Sequence, residues 1–294
     1  MSSWLTENES LIQSALVLAI FGYSLQVAMR AGVFSLAGAG FYAVGGYGAG
    51  ALTLKHGWAP LPALLAAILA AGVVGLVLSL ILGRLRSLYL AMATVAFDLL
   101  IQVAATQWKE ETGGPLGLYG VPVAVTTTSL IVAVAIASAL LVWREHGASR
   151  RTLEALRLDE EVAPVLGIDV RRRRHQAFVL SSMLGALAGG LNVMLFTTIT
   201  PHEVGFNLIV SGLTIIVIGG ISSWVGALVG AFIVTWLPEL LAFSGSWRPV
   251  IQGLIIVFAV VWFNDGLVGV ARRGWRWLRE HRPRARSVVS ESVP

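Results

Sequence analysis

Long runs of apolar residues, parted by short polar connectors, limit this chain more than any other feature. A helix that crosses a bilayer needs roughly 20 mostly apolar residues. Nine candidates can be marked, at about 11–29, 33–53, 61–83, 88–107, 123–143, 176–196, 207–221, 225–241 and 249–270. The runs lack the two-residue alternation of a membrane barrel, so strands are not expected. The seventh and eighth are short and fit tilted or re-entrant elements, tolerated at membrane depth when neighbours bury the backbone. The expectation is an all-α integral membrane protein, a polytopic bundle of about nine transmembrane helices, with eight to ten allowed.

Composition agrees. Charged residues make up 13 % of the 294 and apolar ones 56 %, against about 25 % charged in a soluble domain. Too few polar groups remain to cover a globule in water. There is no cysteine, which excludes disulfides and thiolate chemistry. The first nine residues are acidic and carry no Lys or Arg, so a cleaved secretory signal is not expected.

Basic residues orient a bundle of this kind. With the N-terminus outside and nine spans, the inside connectors hold Arg30, Arg84, Arg86, Arg144, Arg150, Arg151, Arg157, Arg171 to Arg174 and seven arginines between Arg272 and Arg286. That is 18 of the 21 Lys and Arg; Lys55, Lys109 and Arg248 are left outside. The C-terminus then lies inside. The sequence pI near 10.1 follows from topology and contact with anionic lipid, and no nucleic-acid partner is needed. Residues 1–275 read as one transmembrane domain, with a cytoplasmic segment at 144–175 and a basic tail at 276–294 expected to be disordered.

Several residues stand out inside the spans. Asp98 is a carboxylate at mid-span, where charges are costly, and Gln102 follows one turn later on the same face. The pair either contacts a polar solute on a translocation path or ties neighbouring helices together; Asn192 in the sixth span is read the same way. The segment 32–50 is dense in glycine, Gly38 and Gly40 included, and Gly46/Gly50, Gly185/Gly189 and Gly226/Gly230 are spaced by four. Such pairs let helices approach closely; they either pack the bundle or line the path. Glu239 and Asp265 lie near span ends and read as interfacial caps. His56, His175 and His202 show no metal spacing.

Two connectors carry more. In Thr112-Gly113-Gly114-Pro115-Leu116-Gly117 the glycines and proline force turns outside the membrane. Residues 152–163 are rich in helix formers, Pro164 disfavours helix at Ala163, and Gly167 is a plausible helix end. Two short surface helices are expected there, either as a plain connector or as a docking surface for a cytosolic partner. Lys55 is followed by His56 and Lys109 by Glu110, so the Lys-Ser/Thr end of a phosphate-binding loop is missing. The chain is not expected to be an enzyme, nor to bind a cofactor or metal.

Four stretches resemble the permeases of branched-chain amino-acid ABC importers, and the M-type (LivM-like) subunit more than the H-type. They are 30–41; 88–97 together with the threonine-glycine-glycine loop at 112–117, which favours the M-type; 153–168; and 218–230, with Ile218-Gly219-Gly220 leading into Gly226 and Gly230. The resemblance implies a multi-pass protein of a bacterial inner membrane that carries branched-chain or related small amino acids. It implies a second, LivH-like permease, two ABC ATPase subunits and an external solute-binding protein as partners. It makes Leu153, Glu154, Leu156, Arg157, Asp159, Glu160, Glu161, Leu166 and Gly167 the expected ATPase-coupling surface. Asp98, Gln102, Gly38, Gly40 and Asn192 become expected path residues, and Thr112, Gly113, Gly114, Pro115 and Gly117 expected docking residues for the binding protein. Relatives with similar motifs carry urea and other small solutes. A stand-alone ion-coupled transporter is the rival from another class, though it would want more intramembrane carboxylates.

Overall fold

A computed structural model describes residues 8–83, 85, 87–144, 168–221, 223–247, 250–251, 253–255, 257–258 and 266–269. The residues expected to couple to an ATPase, Leu153 to Gly167, lie outside these, as do Asp265 and the basic tail.

Among the described residues, eight helices of fourteen residues or more follow one another: α1 Glu9–Arg30, α2 Gly38–Leu54, α3 Pro60–Leu82, α4 Ser87–Gln107, then, past a single turn α5 Lys109–Thr112, α6 Thr127–Arg144, α7 Val170–Phe196, α8 Phe206–Gly219 and α9 Trp224–Leu240. Five of them, α1, α3, α4, α6 and α7, are long and apolar enough to cross a membrane. The expected ninth span falls on a stretch described only in part, helical at the described positions between 250 and 258 and again at 266–269.

Three helix starts differ from the sequence reading. The second helix begins at Gly38 rather than at residue 33, because Gly32 takes φ +74° and residues 33–36 are irregular. The fifth begins at Thr127 rather than 123, with 120–126 irregular. The long seventh helix begins six residues early, at Val170, where Asp169 caps it by accepting from the Arg172 amide at 3.0 Å. Four arginines there form helix readily yet are invisible to a search for apolar runs. A two-residue antiparallel ladder, β1 Leu118–Tyr119 with β2 Thr198–Ile199, also forms where no strand was expected. It joins two connectors rather than spanning anything.

The hub is α7, packed most extensively on α2 and then on α3 and α1. The most apolar stretches of α1 and α7 are 67 % buried, those of α3, α4 and α6 only 22–33 %, so the last three form the rim. The glycine pairs pack helices. A side chain at Gly45 would run into the backbone of Ala186, one at Gly189 into the Tyr42 carbonyl, and one at Gly230 into the Ile215 carbonyl. The small-residue spacing thus builds α2–α7 and α8–α9 contacts, as such spacing does in membranes.

Hydrogen bonds sort the helix ends onto two sides. On one, Thr127 donates to Glu9 at 2.6 Å and β1 meets β2. On the other, Gln26 donates to the Ser223 carbonyl at 2.6 Å and Arg174 to the Gly83 carbonyl at 3.1 Å. The eight helices therefore alternate in direction. Arg30, Arg144 and Arg171 to Arg174 collect at the second side, Lys55 and Lys109 at the first.

Candidate functional site

The seam between α2 and α4 gathers most of the residues singled out in the spans. It starts with an unmet need. The first four amides of a helix lack partners inside it, and α2 begins in the interior after Ala37, which has no side-chain acceptor to offer. Its neighbour α4 supplies one of them: Asp98 Oδ1 accepts from the Gly40 amide at 2.7 Å, and just ahead of the helix Thr94 Oγ1 accepts from the Leu36 amide at 3.0 Å. Thr94 and Asp98 are four apart and share one face of α4. A carboxylate also suits the positive end of the α2 dipole. Asp98 is 2 % exposed, and its Oδ2 has no hydrogen-bond partner among the described residues. Such a buried oxygen is costly. Asparagine would serve the Gly40 amide as well, so that contact alone does not account for a carboxyl group here.

The expected path residues divide. Gly40 and Asp98 meet, and a β-carbon at Gly40 would sit 2.6 Å from that carboxylate. Gly38 faces α1 instead, against Leu25 and Phe21. Gln102, one turn on from Asp98, donates to the Pro201 carbonyl at 3.0 Å. Asn192 is half-buried on α7.

One turn above the Gly40–Asp98 contact the two helices part around a cleft of about 460 Å³. Ala43, Tyr47 and Ala51 of α2 face Ile101, Ala104 and Ala105 of α4 across it, with His56, Glu111 and Thr112 at the outer end. The lining is almost wholly apolar. The Tyr47 hydroxyl is buried with no partner among the described residues, and His56 Nε2 stands 3.7 Å from Glu111 Oε2. An aliphatic group of a few carbons fits such a lining. Sequence reasoning missed Tyr47, because a tyrosine in a glycine-rich run looks like packing until its hydroxyl is seen without a partner.

The glycine-rich connector closes over this end. The Thr112 hydroxyl sits against the Ala105 and Trp108 carbonyls and accepts from the Gly114 amide at 3.3 Å. Gly117 takes φ +86°, and a side chain there would strike the Ile199 carbonyl, so glycine is required where β1 meets β2. Of the five expected docking residues, Thr112, Gly114 and Gly117 are buried and hold the turn, while Pro115 is exposed. The exposed side chains of this connector include ones outside that set: Leu116 at 74 % exposure, Trp108 at 61 % and Tyr119 at 56 %.

A family model described as branched-chain amino acid transport system, permease component, matches residues 9–260. The chain is 25 % identical to the high-affinity branched-chain amino acid transport system permease protein LivM of Escherichia coli (strain K12), over 87 % of this chain and 69 % of that one. It is 26 % identical to the corresponding LivH of Salmonella typhimurium over 45 % and 43 % of the two chains. It is 28 % identical to the autoinducer 2 import system permease protein LsrC of Enterobacter sp. over 53 % and 48 %.

Proposed function

We infer the working of this chain from one premise: it belongs to the family of branched-chain amino acid transport system permease components. It is a multi-pass membrane protein and a transport permease of the ABC-importer kind, not an enzyme, and it works with ATPase and permease partners. The observation that carries the rest is a family match running through 252 of the 294 residues, from 9 to 260, over a bundle whose arginines gather at one side.

The solute we propose is a branched-chain or closely related small amino acid. The permeases LivM and LivH support it, and so does the apolar cleft between α2 and α4. We propose nine spans, with the N-terminus outside, the arginine-rich side in the cytoplasm and the protein in a bacterial inner membrane. The charge asymmetry supports this orientation. Residues 1–275 form one domain and 276–294 a basic tail. The partners are a LivH-like permease, two ABC ATPases and an external solute-binding protein. That protein docks on the 108–122 connector, with Pro115, Leu116 and Tyr119 as the contact. The solute then passes along the seam past Asp98, and Leu153 to Gly167 deliver the ATPase motion that rocks the helices, as rigid surface elements do in alternating access.

The test is a pull-down of the tagged chain from its own membranes in mild detergent, followed by mass spectrometry. A second permease and P-loop ATPases are expected with it. Changing Asp159, Glu160 and Glu161 to Lys is expected to strip the ATPases and leave the permease pair. A chain that comes alone, even after crosslinking, would return the ion-coupled reading to the lead. ATPases retained by the triple variant would remove the coupling role from this segment.

A further inference from the structure

The start of α7 is electrostatically odd. Arg171 to Arg174 stand side by side within its first two turns. There they repel one another and face the positive end of the helix dipole. The Asp169 side chain accepts from the Arg172 amide. Two side chains there are also fixed in place: Arg174 is 8 % exposed and donates to the Gly83 carbonyl at the end of α3, and the His175 ring is held through Nδ1 by Ser79 Oγ at 2.9 Å.

Between these groups and the end of α3 lies a cleft of about 430 Å³ with two unlike walls. Arg171, Arg174 and His175 form one. Leu80 and Ile81, 54 % and 68 % exposed, form the other. The apolar wall continues down α3 through Leu76, Val73 and Leu69, all exposed. From Leu69 to Ile81 the stripe spans about 18 Å at 1.5 Å per residue, close to one leaflet of a hydrocarbon core of roughly 30 Å.

We propose that this cleft binds an anionic phospholipid. Its phosphodiester lies against Arg171, Arg174 and His175, and one acyl chain lies along the α3 stripe. Arginine forks match phosphate oxygens two at a time, and basic pockets between membrane helices take lipid headgroups. A free phosphate or an acidic protein surface would use the cations and leave the stripe unused. The assignment rests on the chain being a membrane permease, and holds whatever solute it carries.

Native mass spectrometry and thermal melting of the full chain in neutral detergent test it, with phosphatidylglycerol, phosphatidylcholine and inorganic phosphate as probes. Phosphatidylglycerol is expected to bind at fixed stoichiometry and raise the melting temperature, while the other two do neither. Losing one charge-assisted contact in Arg171→Gln weakens that binding about tenfold. Arg172→Gln removes the same charge from beside the cleft and leaves binding within about twofold. Ile81→Ser, a second variant free of charge change, weakens the lipid through its chain. Equal losses for the two arginine variants would reduce the site to diffuse charge and overturn it. So would equal binding of phosphatidylcholine, or a phosphate effect as large as that of the lipid. If the pull-down finds no ATPase yet the lipid still binds, the ATPase-driven reading falls and this one stands.

Discussion

Gly189→Ala is expected to leave almost no folded protein in the membrane. The added methyl would occupy the place of the Tyr42 carbonyl, with the Gly46 amide at 3.0 Å. Overpacking costs about 1–3 kcal/mol where side chains can give way. Here the obstacle is backbone, so α2 and α7 must separate. α7 also carries α1 and α3, and the loss spreads through the hub. More than about 3 kcal/mol is expected, a large part of a typical stability of roughly 5–15 kcal/mol. Gly253→Ala is the control, since a β-carbon there meets nothing within 4 Å among the described residues, and its effect should stay within about 0.5 kcal/mol. Fluorescence-detected size-exclusion of a tagged chain reads both. A wild-type peak for Gly189→Ala would show that the crossing of α2 and α7 is looser than described.

The second large effect is at Asp98, where two substitutions separate its two roles. Asp98→Leu removes the acceptor of the Gly40 amide and strands that group in the interior, at about 1–3 kcal/mol. Asp98→Asn keeps an acceptor there and should melt close to wild type. If the charge serves the path, Asp98→Asn still cuts solute uptake by about tenfold or more, the size of one lost charged contact. Uptake by proteoliposomes holding the whole assembly, at matched expression, gives the answer. Normal uptake with normal melting would make Asp98 a helix tether and nothing else.

The helices were legible because lipid demands long apolar runs, and few sequences supply them by chance. Asp98 was legible for the opposite reason, as a charge where none is comfortable. Its partner was not. That Gly40 receives the carboxylate depends on α2 starting inside the bundle. Val33, Phe34 and Leu36 read as more span; what delays the start is the left-handed turn at Gly32 together with Thr94, which holds the Leu36 amide across the seam. The early start of α7 was hidden by its arginines. The cleft beside Tyr47 was hidden because a void belongs to two helices at once. Residues 112–117 were recognised as a turn, and their buried glycines do hold one. The exposed surface there comes instead from Leu116 and from Tyr119, the latter turned outward by the β1–β2 pairing.

That short pairing has a mechanical consequence. The connector after α4 is fastened along the end of α7: Leu118 opposite Ile199, the Val121 amide on the Thr197 carbonyl at 3.1 Å, the Ala124 amide on the Met194 carbonyl at 3.1 Å. Three successive rungs make the two segments one stiff strap. A load applied at Leu116 or Tyr119 is therefore not absorbed by a slack loop. It is felt as torque on α7, the axle of the bundle, whose far end carries the arginine cluster some 40 Å away, at about 1.5 Å per residue over its 27 residues.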